Sequence, residues 1–179
     1  MRIPIALLCL LLGIALALFA VNRYATWSYP RDYADLVEQY ADQYDLPREL
    51  LYALIRTESH FDAKAVSSAD ARGLTQITPE TFEWLMLKQG ETLQLEALFE
   101  ADVSIRYGAF FLRMLLDEFG ETRTALAAYH AGRGRVNGWL RDPDISPDGR
   151  TLERIPFAET EHYVHKVTLA EKRYRMVYR

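Results

Sequence analysis

Glu58 stands at the end of a strongly apolar segment of the chain. Residues 50–55 read LLYALI, and Arg56, Thr57, Glu58 and Ser59 follow. The apolar run predicts a core helix, so Glu58 lies where that helix leaves the core. Partial burial against apolar neighbours disfavours the carboxylate and raises its pKa, as a general acid at neutral pH requires. Most glutamates near helix ends are simply solvated, so the assignment needs support from other residues.

Three downstream motifs supply that support. Residues 73–79 read GLTQITP, residues 127–132 read AAYHAG, and residues 155–164 read IPFAETEHYV. With the Glu-Ser pair at 58–59, their order and spacing resemble the soluble lytic transglycosylase (SLT) family of peptidoglycan-cleaving enzymes, which is related in fold to goose-type lysozyme. The family pattern is Glu-Ser, then Gly-Leu-Met-Gln with a following proline, then Ala-Tyr-Asn-Ala-Gly, then Glu-Thr with Tyr-Val shortly after. The resemblance covers about residues 40–174, and four short motifs in order are far more specific than one.

The resemblance implies roles for individual residues. Glu58 matches the family's catalytic glutamate. The positions that match substrate-binding residues are Ser67, facing the N-acetyl group, Gln76 in the sugar groove, Tyr129 near the catalytic carboxyl, and Glu159 in the cleft. The positions that match supporting residues are Ser59, Gly73 and His130.

Ordinary structural roles stand beside these functional ones. Tyr129 is also explained as a core tyrosine at the end of a short helix. The alternative role for Gln76 is to cap the helix that begins at Pro79. Glu159 suits the N-terminus of a helix, where the dipole favours a negative charge. Trp84 and Trp139 are more typical of a core than of a sugar platform.

Five residues depart from the family pattern. Thr75 replaces a methionine, which predicts a trimmed apolar wall, and Thr78 replaces an apolar residue. His130 replaces an asparagine, and imidazole is larger and titrates. Asp70 replaces a glycine, and Ser104 replaces an asparagine. These changes affect the expected substrate fit more than the chemistry.

The resemblance implies cleavage of the MurNAc-β-1,4-GlcNAc bond without water, giving 1,6-anhydroMurNAc ends. Glycosidases usually employ two carboxylates. The nearest second candidates are Asp62 and Asp70, so the family interpretation makes Glu58 the sole acid and base. Two alternatives stay open: a hydrolytic muramidase, and a glycan-binding or scaffolding pseudoenzyme of the same fold. The expected partner is the peptidoglycan glycan strand, and the sequence indicates no particular protein partner.

The N-terminus predicts a membrane segment. Residues 3–21 carry no charge, and Arg2 and Arg23 flank them. Their length is at the lower edge of a bilayer span and long for a signal-peptide core, so an uncleaved anchor is favoured over a removed signal. We expect residues 1–23 to be the anchor and residues 24–34 a linker. The expected location is the bacterial cell envelope, with the catalytic domain facing the periplasm or the cell exterior.

Composition excludes several other classes. The chain has 179 residues and a formal net charge of −4, without the basic footprint of a nucleic-acid-binding protein. Cys9 is the single cysteine, so a thiolate metal site is excluded. His162 and His165 are one helical turn apart near the C-terminus and are better explained as solvated residues. We expect neither a metal nor another cofactor.

The rest of the sequence has a helical pattern. Apolar positions recur with helical spacing around residues 36–44, and further helices are predicted over 50–55, 79–87, 102–119, 124–130 and 159–178. Asp45 is a plausible helix cap before Pro47. Residues 74–78 form the single short candidate strand. These features predict a mainly α, lysozyme-like (SLT or goose-type) domain over residues 35–179, after an N-terminal transmembrane helix.

Overall fold

A computed structural model of the protein describes residues 4–178. It begins with α1 (Ile5–Ser28), an apolar helix whose side chains are largely exposed. Within the described residues, α1 is the one helix long and apolar enough to cross a membrane, over Leu10–Ser28. Residues 1–3 of the predicted anchor lie outside the described part of the chain. The helix also runs past the predicted boundary at residue 23 and ends at Ser28.

The remainder of the described chain is helical. The helices are α2 (Ala34–Gln43), α3 (Arg48–Ser59), α4 (Pro79–Gln89), a 3₁₀ helix (Leu95–Phe99), α5 (Ala101–Phe119), α6 (Thr122–Ala131), α7 (Arg133–Trp139) and α8 (Ala158–Val177). Between residues 4 and 178 there is no β-strand, and the 74–78 segment takes part in one isolated bridge, between Ile77 and Arg72. The prediction of a mainly helical fold is therefore confirmed, and the segment considered as a candidate strand is a loop that leads into α4.

The central helix α3 packs against α8 along much of its length. The residues of α3 from Leu50 to Ile55 are all buried, which explains why a continuous apolar run forms this helix. Helix α8 contributes a buried stripe at i, i+3, i+4 and i+7 spacing, which begins at Thr160 and Tyr163 and reaches Tyr174. Burial of each large aliphatic side chain contributes about 1.5–3 kcal/mol. The α3–α8 pair thus forms the rigid base of the site.

Helix α3 ends abruptly after Glu58 and Ser59. His60 and Phe61 both have left-handed backbone angles, with φ of 52° and 65°. The hydroxyl of Ser59 donates hydrogen bonds to the carbonyl oxygens of Ile55 at 3.2 Å and Leu74 at 2.9 Å. These bonds connect the last turn of α3 to the 73–79 loop.

The 73–79 loop also packs closely on its neighbours. Gly73 has a φ of 75°, and a Cβ at this position would lie 1.9 Å from the carbonyl oxygen of Leu98. A side chain here would therefore displace the backbone, so the position requires glycine. The loop then enters α4, where the hydroxyl of Thr78 accepts a hydrogen bond from the backbone N–H of Thr81.

Two local predictions are wrong. Asp45 does not cap α3, because it has a φ of 49° and the N-cap position belongs to Pro47. Gln76 does not cap α4, because Thr78 takes that role. Helix α7 was not predicted, since Gly134 and Gly138 fall within its seven residues and glycine has low helix propensity.

Candidate active site

Glu58 occupies the last turn of α3 and faces α8. Its side chain keeps a partly exposed surface, as an acid that must reach a substrate requires. Protein atoms nevertheless surround the carboxyl closely, and this burial raises the pKa of Glu58 to about 7. A hydrogen bond from Tyr163 and the positive charge of Lys166 both act in the opposite direction and limit the rise. The geometry produces a carboxyl group that is substantially protonated at neutral pH.

Tyr163 is the direct partner of Glu58. Its hydroxyl, on α8, donates a hydrogen bond to Oε1 of Glu58 at 2.5 Å. Burial raises the pKa of Tyr163 well above its usual range, and the nearby charge of Glu58 adds to the effect. The phenol therefore stays protonated and holds the carboxyl in one orientation through Oε1.

Tyr129, at the end of α6, is close to Glu58 but bonds elsewhere. Its hydroxyl donates to the backbone carbonyl of Thr75 at 2.8 Å. Burial raises the pKa of Tyr129 well above its usual range, and Glu58 is the second cause of that rise. Tyr129 is therefore both a core tyrosine at the end of a helix and a neighbour of Glu58, the two roles that the sequence left open.

Gln76 holds the loop beside α3. Its backbone is left-handed, with a φ of 51°. The side-chain amide donates to the carbonyl oxygens of Gly73 at 2.9 Å and Ala65 at 3.2 Å. Among the described residues, its Oε1 accepts no hydrogen bond. This half-buried side chain therefore stiffens the loop through its nitrogen and leaves an oxygen for a ligand.

Ser67 lies on an exposed turn. Its hydroxyl oxygen accepts hydrogen bonds from the backbone N–H groups of Ala69 at 3.2 Å and Ala71 at 3.1 Å. Within residues 4–178, no hydrogen bond connects Ser67 to Glu58. The departure at Asp70 has a local explanation, because Asp70 adopts a φ of 59° and pairs with Arg72 at 3.0 Å.

His130 packs on the partner of the acid. Its imidazole stacks on the ring of Tyr163 with 4.4 Å between centroids, and Nδ1 lies 3.2 Å from the hydroxyl of Thr160. The residue is exposed overall, yet the covered ring face is desolvated enough to lower the pKa of His130. Glu159 is exposed at the start of α8 and partly offsets that fall. The structure therefore places Glu159 near His130 and gives it no contact with Glu58.

A cavity of 330 Å³ opens beside Tyr129. Its lining includes Trp84, Phe111 and Arg133. Phe111 bridges the two aromatic walls, with ring centroids 6.3 Å from Trp84 and 5.0 Å from Tyr129. Trp84 therefore lines a cavity that borders the site, whereas Trp139 is buried in the core.

The other carboxylates considered as partners of Glu58 do not lie beside it. Asp62, the nearest alternative carboxylate in sequence, is exposed and accepts a hydrogen bond from the backbone N–H of Lys64 at 2.8 Å. The charged group that shifts the pKa of Glu58 is Lys166, and no second carboxylate of the described chain contributes. Within residues 4–178, no group of three His, Cys, Asp or Glu side chains is placed to hold a metal ion.

Comparison with known proteins decides the family. The family model described as "Transglycosylase SLT domain" matches residues 35–148, which is more than half of the chain. The chain belongs to the SLT domain family. It is 32% identical over 151 residues to the soluble lytic murein transglycosylase of Escherichia coli K12, covering 82% of this chain and 23% of that protein. It is also 32% identical over 166 residues to the membrane-bound lytic murein transglycosylase C of Cronobacter sakazakii, covering 80% and 46%.

Solved structures of SLT proteins share the fold. The 70 kDa soluble lytic transglycosylase of Escherichia coli aligns with a TM-score of 0.74 at 28% identity, covering 85% of this chain and 25% of that one. An inactive variant of the Pseudomonas aeruginosa lytic transglycosylase Slt, with glutamate replaced by glutamine, aligns with a TM-score of 0.71 at 31% identity, covering 83% and 25%. The prediction of a lysozyme-like helical domain is confirmed. The chain spans about a quarter of the length of these soluble relatives.

Two departures from the SLT pattern are partners in the structure. The hydroxyl of Thr75 donates to the backbone carbonyl of Ser104 at 2.7 Å, and the hydroxyl of Ser104 accepts from the N–H of Thr75 at 3.2 Å. Both side chains are fully buried, and Thr75 packs on Gly108 so closely that a Cβ there would lie 2.4 Å from its methyl group. Thr75 is therefore an anchor between the loop and α5, and the expected trimmed wall stays a prediction.

Two residues that act on Glu58, Tyr163 and Lys166, were given no role from the sequence. Tyr163 falls within the ETEHYV motif, but no role was predicted for it, and Lys166 lies outside the motifs. Both share a face of α8 at i, i+3 spacing, four and seven residues after Glu159. The spacing predicts that Tyr163 and Lys166 share a face of α8. Only the packing of α8 on α3 shows that this face is directed at Glu58.

Proposed function

We propose that this chain is a peptidoglycan lytic transglycosylase with Glu58 as its sole acid and base. The observation that carries the proposal is the environment of Glu58. Its carboxyl has a pKa of about 7 because of burial, accepts a hydrogen bond from Tyr163, and has no second carboxylate of the described chain beside it. The names of the relatives, and the inactive glutamate-to-glutamine variant of the Pseudomonas protein, support the same chemistry.

In the first step, protonated Glu58 donates its proton to the oxygen that bridges N-acetylmuramic acid and N-acetylglucosamine. The bond between that oxygen and C1 of the muramic acid breaks, and N-acetylglucosamine leaves with a new hydroxyl group. The acetamido oxygen of the muramic acid bonds to the electron-deficient C1. The sugar thereby supplies the nucleophile that a second carboxylate provides in other glycosidases.

In the second step, ionised Glu58 takes the proton from the 6-hydroxyl of the same sugar. The freed O6 attacks C1, the bond from C1 to the acetamido oxygen breaks, and a 1,6-anhydro ring closes. Glu58 is again protonated and no water is consumed. A carboxyl with a pKa near the working pH can both give and accept the proton.

The groups around Glu58 suit a glycan strand. Gln76 offers a free Oε1, Tyr129 borders the acid, and the aromatic side of the cavity presents Trp84 to a sugar face. We assign Ser67 and Glu159 to the outer parts of the cleft, with the donor hydrogen of Ser67 directed to an acetamido group. Ser59, Gly73 and His130 serve as supports through their contacts with the loop and with Tyr163.

The proposed location is the bacterial cell envelope, with the domain outside the membrane that holds α1. The apolar length of α1 and the membrane-bound relative support an anchor. We retain residues 1–23 as the anchor and residues 35–179 as the domain. Residues 24–34 connect them as a packed segment, because the carbonyls of Ser28 and Pro30 accept hydrogen bonds from Arg56 at 3.0 Å and Tyr174 at 2.8 Å.

Mass analysis of digested murein tests the proposal. The purified full chain should release muropeptides that end in 1,6-anhydroMurNAc. Hydrated reducing ends without anhydro product would replace the proposal with a hydrolytic muramidase. Sugar binding without any cleavage would replace it with a glycan-binding protein. Glu58→Gln should abolish product with the fold intact, while the matched control Asp62→Asn should remain active; cleavage by Glu58→Gln would refute the role of Glu58.

A further inference from the structure

The second half of α8 has an unusual outer face. Leu169, Arg173 and Met176 follow one another at i, i+4 and i+7, so they share one side of the helix. Leu169 is 43% exposed and Met176 is 69% exposed. Lys172 is also exposed beside them. Long basic side chains can lie along apolar surface and keep their charged ends in water, so such a face suits the boundary between a bilayer and water.

This face borders α1 across a groove. A cavity of 700 Å³ separates the two helices. Leu18 and Val21 of α1 line one wall, and Leu169, Met176 and Val177 of α8 line the other. Arg56 and Arg173 supply the positive charge in the same lining. The groove therefore combines apolar walls that suit a hydrocarbon chain with two arginine side chains.

The two arginines differ in their availability. Arg56 is occupied, because its Nε donates to the carbonyl of Ser28 at 3.0 Å and its guanidinium lies 4.5 Å from the ring centre of Tyr29. Across residues 4–178, Arg173 and Lys172 have no acidic partner. Arg175, by contrast, pairs with Glu171 at 2.6 Å. Arg173 is consequently the cation of the groove that is free to bind an anion.

We propose that an anionic phospholipid occupies this groove, with its phosphate against Arg173 and an acyl chain along the apolar walls. The inference rests on the proposed membrane location of α1. Charge complementarity favours this occupant, because Arg173 has no acidic partner in the described chain and can bind a phosphate. The apolar side chains of the walls suit an acyl chain. A bilayer lipid also has direct access, because the groove is continuous with the helix that is proposed to enter the membrane.

A lipid at this position would also affect how the domain sits on the bilayer. The α1 end of the groove is already fixed to α3 through Arg56, and Glu58 lies only two residues further along, about 3 Å of helix rise. A bound lipid would join α1 to α8 as well. The acid would then be held at a set distance from the membrane, facing glycan close to its surface.

Native mass spectrometry of the full chain in detergent tests the proposal. Dioleoyl phosphatidylglycerol and dioleoyl phosphatidylcholine are added in equal amounts, and the bound lipids are counted. We expect preferential retention of phosphatidylglycerol. Arg173→Gln should weaken it about fivefold, the change that corresponds to one basic contact near a lipid surface. Arg173→Lys should retain most binding because the charge is kept.

Arg141→Gln is the matched control, because this exposed arginine lies in the loop after α7 and loses the same charge. Equal retention of the two lipids, or an equal loss in Arg141→Gln and Arg173→Gln, would overturn the proposal. A chain dimer in place of bound lipid would overturn it as well. Failure of the full chain to insert into vesicles would instead refute the anchor, and murein digestion by Arg173→Gln reports separately on the proposed catalytic function.

Discussion

Tyr163 and Glu58 meet across 105 positions of sequence, and the phenol donates to the carboxyl oxygen at 2.5 Å. The bond has two opposing consequences. It stabilises ionised Glu58 and so lowers the pKa of the carboxyl, while burial raises that pKa to about 7. The same bond fixes the direction in which the carboxyl points. Acidity and orientation of the proposed catalyst therefore depend on one residue of another helix.

Tyr163→Phe should move the pH dependence of cleavage. Protonated Glu58 is the active form in the first step, so the rate of the wild-type chain should fall as the pH rises through about 7. Without the phenol the pKa of Glu58 rises further, and the fall should occur at higher pH. The rate at pH 5 should also drop, on the order of tenfold, because the carboxyl is less well oriented. Murein solubilisation between pH 5 and 9 measures both effects.

Tyr129→Phe is the control for that experiment. Its hydroxyl bonds to Thr75 and not to Glu58, so the alkaline fall should stay at its wild-type position whatever happens to the absolute rate. Identical shifts in the two variants would show that Tyr163 has no special connection to the acid.

Glu58→Gln should stabilise the protein at alkaline pH. The pKa of Glu58 is raised on folding, so the stability that its protonated form supplies is complete below about pH 4.5 and is lost as the pH rises through about 7. Glutamine keeps a neutral side chain at every pH. The difference in unfolding free energy, Glu58→Gln minus wild type, should therefore be larger at pH 8 than at pH 4.5. The increase should be at most about 3 kcal/mol. Thermal unfolding in detergent at the two pH values measures this.

Glu91→Gln should have the opposite effect on stability at alkaline pH. Hydrogen bonds from Arg106 and Tyr107 lower the pKa of Glu91, so its contribution to stability is present at neutral pH and is lost as the pH falls. This variant should be less stable than the wild type at pH 8. A Glu58→Gln variant that is destabilised at pH 8 in the same way would contradict the burial of the acid.

The sequence was sufficient for most of the helices and for the position of Glu58 at the end of α3. The apolar run at residues 50–55 predicted α3, and the long amphipathic segment predicted α5, because such patterns record burial directly. Short α7 was missed, since its glycines obscure any helical period. Asp45 was misassigned as a cap because the local pattern does not show that its backbone turns left-handed.

Contacts between distant segments were the part that the sequence did not reveal. Thr75 and Ser104 were each noted as departures, 29 positions apart, and their bond depends on how the loop packs on α5. Lys166 was missed because a lysine on an exposed helix usually faces solvent. The packing angle between α3 and α8 decides which residues of α8 reach Glu58, and that angle is a property of the whole core.

Thr75 and Ser104 should behave as one energetic unit. Thr75→Val removes one of the two donors to the carbonyl of Ser104, which keeps its bond within α5, and Ser104→Ala leaves the buried N–H of Thr75 without its acceptor. Each should cost about 1–2 kcal/mol of unfolding free energy. The two hydroxyls also lie 3.2 Å apart, and either single variant removes that contact, so the double variant should cost about 1 kcal/mol less than the sum. Unfolding measurements on the four proteins give the coupling. If the losses of the two single variants simply added up in the double variant, the two residues would not be energetically coupled. A raised KM in Thr75→Val without a loss of stability would favour the prediction that Thr75 trims a wall of the cleft.

His130 should titrate below its ordinary pKa of 6.5, because its ring is covered on one face by Tyr163. The negative charge of Glu159 opposes this shift, so Glu159→Gln should lower the pKa of His130 further. Imidazole resonances followed by NMR across pH 4 to 8 measure the change. Glu161→Gln is the control, since Glu161 pairs with Arg123 at 2.9 Å and should leave His130 unaffected. A higher pKa of His130 in Glu159→Gln would contradict the placement of Glu159 beside His130. The expected lower pKa means that the ring stacked on Tyr163 is neutral while Glu58 exchanges its proton.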